Sequence, residues 1–147
     1  MNNKRSEKRK SCHARKLVVL GSLAVGAVHV AWGRGSSWPF ASRRELAQKV
    51  VGSNDFPDAT ACYVVAAGAF STAVAFSKKT PGAGNVFFRR LVVLAVAARS
   101  IAGGQKATEV LRLPQPGQAF LEADQKLYRP LTAIFALAAA TLVKRSR

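Results

Sequence analysis

Acidic residues and cysteines are scarce in this sequence. Only 7 Asp and Glu accompany 23 Lys and Arg over 147 residues, and the 2 cysteines, Cys12 and Cys62, stand in no CxxC or Cys/His spacing typical of a metal site. No acid pair, no nucleophile with a base and no cofactor-binding motif is readable. We therefore expect no metal and no cofactor, and these absences weigh against an enzyme.

Charge is also missing from long stretches of the chain. Apolar residues make up 49% of the sequence and gather into blocks nearly free of charge, whereas a nucleic-acid-binding protein would interleave aromatic residues with its basic ones. Nucleic acid is therefore not an expected partner. The blocks predict an all-α protein folded as a four-transmembrane-helix bundle, with spans at about 17–33, 59–77, 87–104 and 127–143.

Three of these spans leave a question open. The first also fits a secretory signal peptide, although further apolar blocks follow and no clear A-x-A cleavage site ends it. The third is the weakest, because its apolar part, 91–102, is only 12 residues long and contains Arg99. In the fourth, Pro130 either starts the helix or, if 121–128 is already helical, kinks it.

The distribution of basic residues predicts the orientation in the membrane, since Lys and Arg near span ends are retained in the cytoplasm. With the N-terminus inside, 14 Lys and Arg lie on the inner side and 8 on the outer side, while six of the seven acids lie outside. We predict a bacterial inner-membrane protein with both termini cytoplasmic. Residues 1–16 form a basic tail, expected to be disordered when free and attracted to anionic lipids, and 144–147 a basic end.

The first outer loop contains signals for a short helix. Ser42 and Glu45 have the spacing of a capping box, and apolar residues follow at helical spacing, which predicts a short helix lying in the membrane interface. Trp32, Trp38 and Phe40 cluster beside it, as expected of aromatic rings at the depth of the lipid headgroups.

Three motifs carry a resemblance to a known family: HVAWGRGSSWP after the first span, AARSIAGG in the third and FLEADQKLYRPL leading into the fourth. Together they resemble DUF3995, a family of small four-helix bacterial membrane proteins. The resemblance implies a four-helix membrane fold and no established activity. The matching positions are His29, Trp32, Gly35, Trp38, Pro39, Arg99, Phe120, Asp124, Tyr128, Pro130 and Leu131.

A candidate polar patch consists of His29, Arg99, Asp124 and Tyr128. An arginine near the centre of a span costs roughly 2.5 to 3.5 kcal/mol on insertion scales, so Arg99 needs a partner, and Asp124 enters from the same side with Tyr128 one turn later. The pair is either a structural ion pair or part of an outward-facing pocket for a small ligand, a lipid headgroup or a proton. His29 either hydrogen-bonds a neighbouring group at a helix contact or serves as a proton relay or metal ligand.

Three classes of function follow from these features. A non-enzymatic binding or accessory protein is favoured, with a small transporter or channel component as the alternative and a membrane enzyme or redox protein behind both. The expected partners are the lipid bilayer, with anionic lipids at the basic tail, and either a protein partner or further copies of this chain.

Overall fold

The computed structural model describes residues 2–110 and 115–144, which are helix or loop throughout. Residue 1 and most of the predicted basic end, 145–147, lie outside the described residues. The helices are α1 (Asn2–Gly33), α2 (Arg43–Leu46, continued by the π-helical turn Ala47–Val51), α3 (Ala59–Ser77), α4 (Ala83–Val110) and α5 (Gln118–Lys144). The all-α fold class is therefore confirmed for the described residues.

Three of the helices are long and apolar enough to cross a membrane: α1 over Arg9–Gly33, α3, and α5. The helix at the third predicted span, α4, is not among them. It carries Arg89, Arg90 and Arg99 among its apolar residues, and these charges lower its hydropathy. The structure thus supports an all-helical protein with three candidate spans, which is less than the four-span bundle that the sequence predicts.

The four long helices pack side by side. Helix α1 lies along α3 and also contacts α5, which in turn packs along α4. We call the end where α1 stops at Gly33 and α3 begins the cap end, and the opposite end, where α3 stops at Ser77 and α5 stops at Lys144, the tail end. One apolar cluster around Val18 and Phe76 lies toward the tail end, and another around Trp32 lies at the cap end.

Small residues let α1 and α3 approach closely. A Cβ added to Gly26 would lie 2.5 Å from Cε1 of Phe70, and one added to Gly33 would lie 2.8 Å from Cε1 of Tyr63. Ser22, one turn before Gly26, is buried as well. This face of α1 is the helix contact expected near His29, in which small residues permit close packing of backbones.

Residues 2–16 of the basic tail belong to α1 in the structure, and the disorder expected of the free tail stays a prediction. In the structure α1 begins at Asn2 and runs without a break into the apolar segment that ends at Gly33. Lys, Arg, Glu and Ala all favour helix. Extending an existing helix avoids the unfavourable free energy of nucleating a new one. The apolar segment therefore serves as the nucleus from which the basic residues continue the helix.

Helix α2 has its predicted capping box in modified form. The amide of Glu45 donates to Ser42 Oγ over 3.2 Å, while Glu45 Oε2 accepts from the Ala41 amide over 3.1 Å instead of from that of Ser42. Hydrogen bonds from Lys49 and from that amide lower the pKa of Glu45. The helix ends at Gly52, whose φ of 84° favours glycine.

The apolar face of α2 packs on the protein itself. Leu46 and Ala47 are fully buried, and Leu46 belongs to the cluster formed with Trp32 and Cys62. The expected helix is present, with Leu46 and Ala47 buried against the bundle and Val50 and Val51 half-buried. The position of this helix in the membrane interface stays a prediction.

Helix α5 starts earlier than the predicted fourth span. It begins at Gln118, so Pro130 lies inside a continuous helix and does not start it. The π-helical turn Asp124–Tyr128 ends two residues before this proline. Proline removes one helical hydrogen bond and collides with the carbonyl four residues earlier, and a widened turn relieves that conflict.

Candidate functional site

Asp124 is the centre of a buried polar cluster near the cap end. Asp124 is only 3% exposed, and each of its carboxylate oxygens accepts a hydrogen bond. Oδ1 accepts from Nη2 of Arg99 over 2.5 Å, and Oδ2 accepts from the amide of Gly104 over 2.7 Å. The structure therefore brings together the ion pair that the sequence argument predicts between α4 and α5.

The carboxylate meets α4 where that helix is interrupted. Gly103 has φ 72° and ψ 177°, which lie outside the helical region, so the helical hydrogen bonds across it cannot all form. Arg129 fills the gap on one side: its Nε donates to the Ser100 carbonyl over 3.1 Å and its Nη2 to the Ile101 carbonyl over 2.8 Å. Asp124 accepts from the freed amide on the other side.

Two residues of α5 thus hydrogen-bond to backbone groups on the two sides of one break in α4. Asp124 and Arg129 are five positions apart, and the π-helical turn between them bonds the Arg129 amide to the Asp124 carbonyl. Such i to i+5 bonding brings side chains five positions apart toward one face of the helix, whereas an ordinary α-helix would separate them. We call Arg99, Gly103, Gly104, Asp124 and Arg129 the helix-break latch.

The charges of the latch do not balance. The latch holds two guanidinium groups and one carboxylate, of which only Arg99 pairs with Asp124, and Nη1 of Arg99 is buried without a hydrogen-bond partner. The Arg99 side chain as a whole is 32% exposed, so part of its charge is screened. Both oxygens of Asp124 accept hydrogen bonds from within the latch, so its carboxylate serves a structural role there.

The other two residues of the candidate polar patch hydrogen-bond to groups outside the latch. Tyr128 donates from its hydroxyl to the Lys49 carbonyl over 3.2 Å and thereby ties α5 to the turn after α2. Nδ1 of His29 pairs with the Val25 carbonyl at 2.9 Å, and its ring lies 4.9 Å from that of Trp32. His29 thus has the local hydrogen bond expected of it and makes none to the latch.

The three aromatic residues predicted for the interface have different environments. Trp38 is 68% exposed and Phe40 is half-buried, whereas Trp32 is buried. The indole of Trp32 donates to the Trp38 carbonyl over 2.7 Å and packs edge-on against Phe56. Of the three, Trp38 is the one whose exposure suits a lipid or solvent boundary.

Two polar recesses open on the cap end, where the segments after α2 and before α5 meet. The Gly117 amide donates to the Gly52 carbonyl over 3.0 Å, and Gly52 also packs against Pro116 and Phe120. One recess has a volume of 490 Å³ and is lined by Gln48, Gly52, Ser53, Asn54, Asp55, Gln115, Gly117 and Ala119. The second, of 500 Å³, is lined by Arg43, Arg44, Asn54, Asp55 and Phe56.

Sequence reasoning missed the role of Arg89 at the tail end. Its side chain is almost fully buried and donates to the Ala75 carbonyl through Nε (3.0 Å) and Nη2 (2.5 Å), and to the Lys78 carbonyl over 2.7 Å. Arg15 donates to the neighbouring Ser77 carbonyl over 3.1 Å. These arginines satisfy the free carbonyls at the C-terminus of α3, and the signal available was the absence of any capping residue there.

No metal site is found in the described part of the chain, since it holds no group of three His, Cys, Asp or Glu side chains close enough to bind an ion. The two thiols are unpaired, with Cys12 exposed and Cys62 buried. Cys62 of α3 lies against Gly33 of α1. Gly33 comes 21 residues after Cys12 in the same helix, so roughly 30 Å of helix separates Cys12 from the position of Cys62.

The sequence of the chain matches one family model, described as protein of unknown function (DUF3995), over residues 22–139. The chain belongs to the DUF3995 family. The match runs from within α1 to within α5 and includes the whole latch and both cap-end segments. No curated protein and no solved structure matches the chain.

Proposed function

We propose that this DUF3995 protein is a four-span protein of the bacterial inner membrane, with residues 1–16 and 144–147 in the cytoplasm and the cap end outside. It acts as a non-enzymatic binding or accessory protein through the polar recesses of the cap end. The observation that carries this proposal is that two of the three arginines in the apolar part of α4, Arg89 and Arg99, have partners inside the protein.

The charges on α4 are the reason it does not qualify as a span by composition, and two of them are satisfied inside the protein. Arg89 makes three hydrogen bonds to carbonyls at the end of α3, and Arg99 pairs with Asp124. Intramembrane charges occur mostly where they face the bundle and find such partners. The predicted span, 87–104, would extend about 27 Å, close to the hydrocarbon thickness, and it leaves Arg90 within about one helical turn of the tail-end boundary.

The polar recesses support the binding role. They bring Gln48, Asn54 and Gln115 from two separate segments to one surface. Hydrogen bonds from Tyr128 to Lys49 and from Gly117 to Gly52 hold those segments together. Hydrolytic or redox chemistry would need a nucleophile with a base, an acid pair or a cofactor, and the buried acid Asp124 already has both oxygens occupied. A surface that binds a small polar ligand or a protein partner needs none of these groups.

Reporter fusions test the topology. An enzyme active only outside the cytoplasm should be active when fused after Gly52 or Gln115, and silent when fused after Gly82 or Arg147. The fusion after Gln115 depends on α4, because it becomes silent if α4 does not cross the membrane. Silence there together with activity after Arg147 would replace the four-span topology with a three-span one.

In-cell photocrosslinking tests the binding role. A photoreactive residue in place of Asn54, which lines both recesses, should give a discrete adduct that mass spectrometry identifies. The matched control is Arg34, which is exposed at the same end but lines neither recess. Equal labelling at the two positions, or none at Asn54, would refute the cap end as the binding surface.

The interrupted helix α4 is the observation that favours the alternative, a small transporter or channel component. Transporters use the free ends of broken helices to coordinate substrates and ions. In this chain the groups freed at Gly103 are engaged by Asp124 and Arg129, so conduction would require the latch to open. Ion or proton flux through purified protein in vesicles would favour this alternative over the accessory role.

A further inference from the structure

A groove of 430 Å³ lies between α4 and α5 at the tail end, far from the latch. Each helix contributes three residues at positions i, i+3 and i+4, so each set occupies one helical face. The lining residues are Arg90, Val93 and Leu94 from α4, and Ala140, Val143 and Lys144 from α5. The groove is therefore apolar along its length and carries two cations near one end.

The two cations have no structural role in the described part of the chain. Arg90 and Lys144 are exposed, and neither side chain makes a hydrogen bond or an ion pair to a described residue. The adjacent Arg89 shows the contrast, since it is buried and makes three hydrogen bonds to carbonyls. Arg90 and Lys144 thus place two uncompensated positive charges beside an apolar channel.

We propose that this groove is a binding site for an anionic phospholipid of the cytoplasmic leaflet. One acyl chain lies along Val93, Leu94 and Ala140, where the small side chain of Ala140 leaves room for it, and the headgroup phosphate lies between Arg90 and Lys144. Basic pockets between membrane helices on the cytoplasmic side favour such headgroups. A zwitterionic lipid is disfavoured, because its ammonium group would lie beside two cations.

The proposal rests on the proposed function only in placing the tail end at the cytoplasmic leaflet. Lipid binding can be measured in detergent, where orientation has no influence, by titrating delipidated protein with phosphatidylglycerol or phosphatidylethanolamine and counting bound lipids by native mass spectrometry. Reversed reporter fusions would therefore overturn the topology and leave this site intact, whereas the lipid titration would overturn the site and leave the topology intact.

Removing the charges is the first test. The double variant Arg90→Gln/Lys144→Gln should bind phosphatidylglycerol about 25-fold more weakly than the unchanged protein, at about fivefold per charge. Lys78→Gln/Lys79→Gln is the matched control, because it removes two exposed charges at the same end outside the groove and should leave binding unchanged. Equal losses in both variants would show general surface attraction and refute the site.

Filling the groove is the second test, and it retains both charges. Leu94→Trp should weaken phosphatidylglycerol binding severalfold, whereas Leu91→Trp, at an exposed position outside the groove, should not. The affected side chains are exposed, so all variants should keep the elution volume and helical content of the unchanged protein. Unchanged binding by Leu94→Trp, or equal affinity for the two lipids in the unchanged protein, would overturn the proposal.

Discussion

The amide of Gly104 donates a 2.7 Å hydrogen bond to the carboxylate of Asp124, which lies on the next helix, 20 residues further along the chain. An N-terminal helix amide is ordinarily capped by a side chain just before it in sequence. Here the capping carboxylate comes from α5, so the part of α4 after Gly103 depends on a neighbouring helix for its start. The same carboxylate pairs with Arg99, and the two roles of Asp124 can be separated by mutation.

The ion pair of Arg99 and Asp124 should show strong energetic coupling. Arg99→Gln leaves a buried carboxylate without its cation, and Asp124→Asn leaves the guanidinium unpaired while an amide oxygen still accepts from Gly104. Each single variant should lose about 2 kcal/mol, less than the 3 to 5 kcal/mol of a fully buried pair because Arg99 is 32% exposed. The double variant should lose clearly less than the sum, by at least about 1 kcal/mol, in thermal unfolding in detergent.

Asp124→Ala provides the control for the capping role. It removes the acceptor for the Gly104 amide as well as the charge, so Arg99→Gln/Asp124→Ala should be less stable than Arg99→Gln/Asp124→Asn. Additive losses in the Asn cycle would contradict the ion pair, and equal stability of the two double variants would contradict the cap.

The break at Gly103 should not tolerate a side chain. Backbone angles of φ 72° and ψ 177° are adopted almost only by glycine and cost another residue about 1 to 3 kcal/mol, and a Cβ there would lie 3.2 Å from Asp124 Oδ2. Gly103→Ala should therefore lower the unfolding temperature, whereas Gly84→Ala in the first turn of the same helix, with nothing within 4 Å, should leave it unchanged or raise it. A Gly103→Ala protein as stable as Gly84→Ala would mean that α4 runs through the break as a regular helix.

The sequence predicts local features of this fold better than features that depend on two elements. The capping box of Ser42 and Glu45 is found because a cap depends on residues a few positions apart. The role of Arg129 cannot be read from the sequence, because it requires both a break at Gly103 and a π-helical turn that directs its side chain toward that break. Pro130 pointed to a disturbed helix, but not to which side chains the disturbance would align.

The hydropathy of α4 is a second case in which the sequence does not reveal an interaction between two helices. Arg89 lowers the apolar character of the helix, although in the structure its guanidinium serves the carbonyls of Ala75 and Lys78 and is almost fully buried. Composition alone cannot tell such a paired arginine from the exposed Arg90 beside it. The difference between the two arises from the short turn that returns α4 to the end of α3, and hence from tertiary structure.

The adjacent arginines Arg89 and Arg90 should therefore differ in their effect on stability. Arg89→Met keeps a long side chain but leaves the Ala75 and Lys78 carbonyls without their donor, and should cost about 2 to 3 kcal/mol. Arg90→Met removes an exposed charge and should stay within about 0.5 kcal/mol of the unchanged protein. Thermal unfolding of both variants in one detergent measures this difference, and equal values would contradict the capping of α3 by Arg89.

The close contact of α1 and α3 at Gly26 should limit the size of residue 26. Gly26→Ala places a Cβ 2.5 Å from the Phe70 ring and should destabilise the protein by about 1 kcal/mol or more through overpacking. Phe70→Leu should restore part of that loss in the double variant. Gly68→Ala is the control, because no heavy atom lies within 4 Å of its added Cβ, and a loss there equal to that of Gly26→Ala would argue against a specific contact.

The two cysteines give a test of orientation that needs no fusion protein. Cys12 is exposed near the start of α1 and Cys62 is buried near the cap end, so the proposed topology places Cys12 in the cytoplasm. A membrane-impermeant thiol reagent applied to intact cells should leave Cys12 unmodified, and the same reagent should modify it once the cells are permeabilised. In a Cys12→Ser/Cys62→Ser background, Ser53→Cys at the cap-end recess should react in intact cells and Lys79→Cys should not. Modification of Cys12 and Lys79→Cys in intact cells, with protection of Ser53→Cys, would reverse the orientation and move the recesses to the cytoplasmic side.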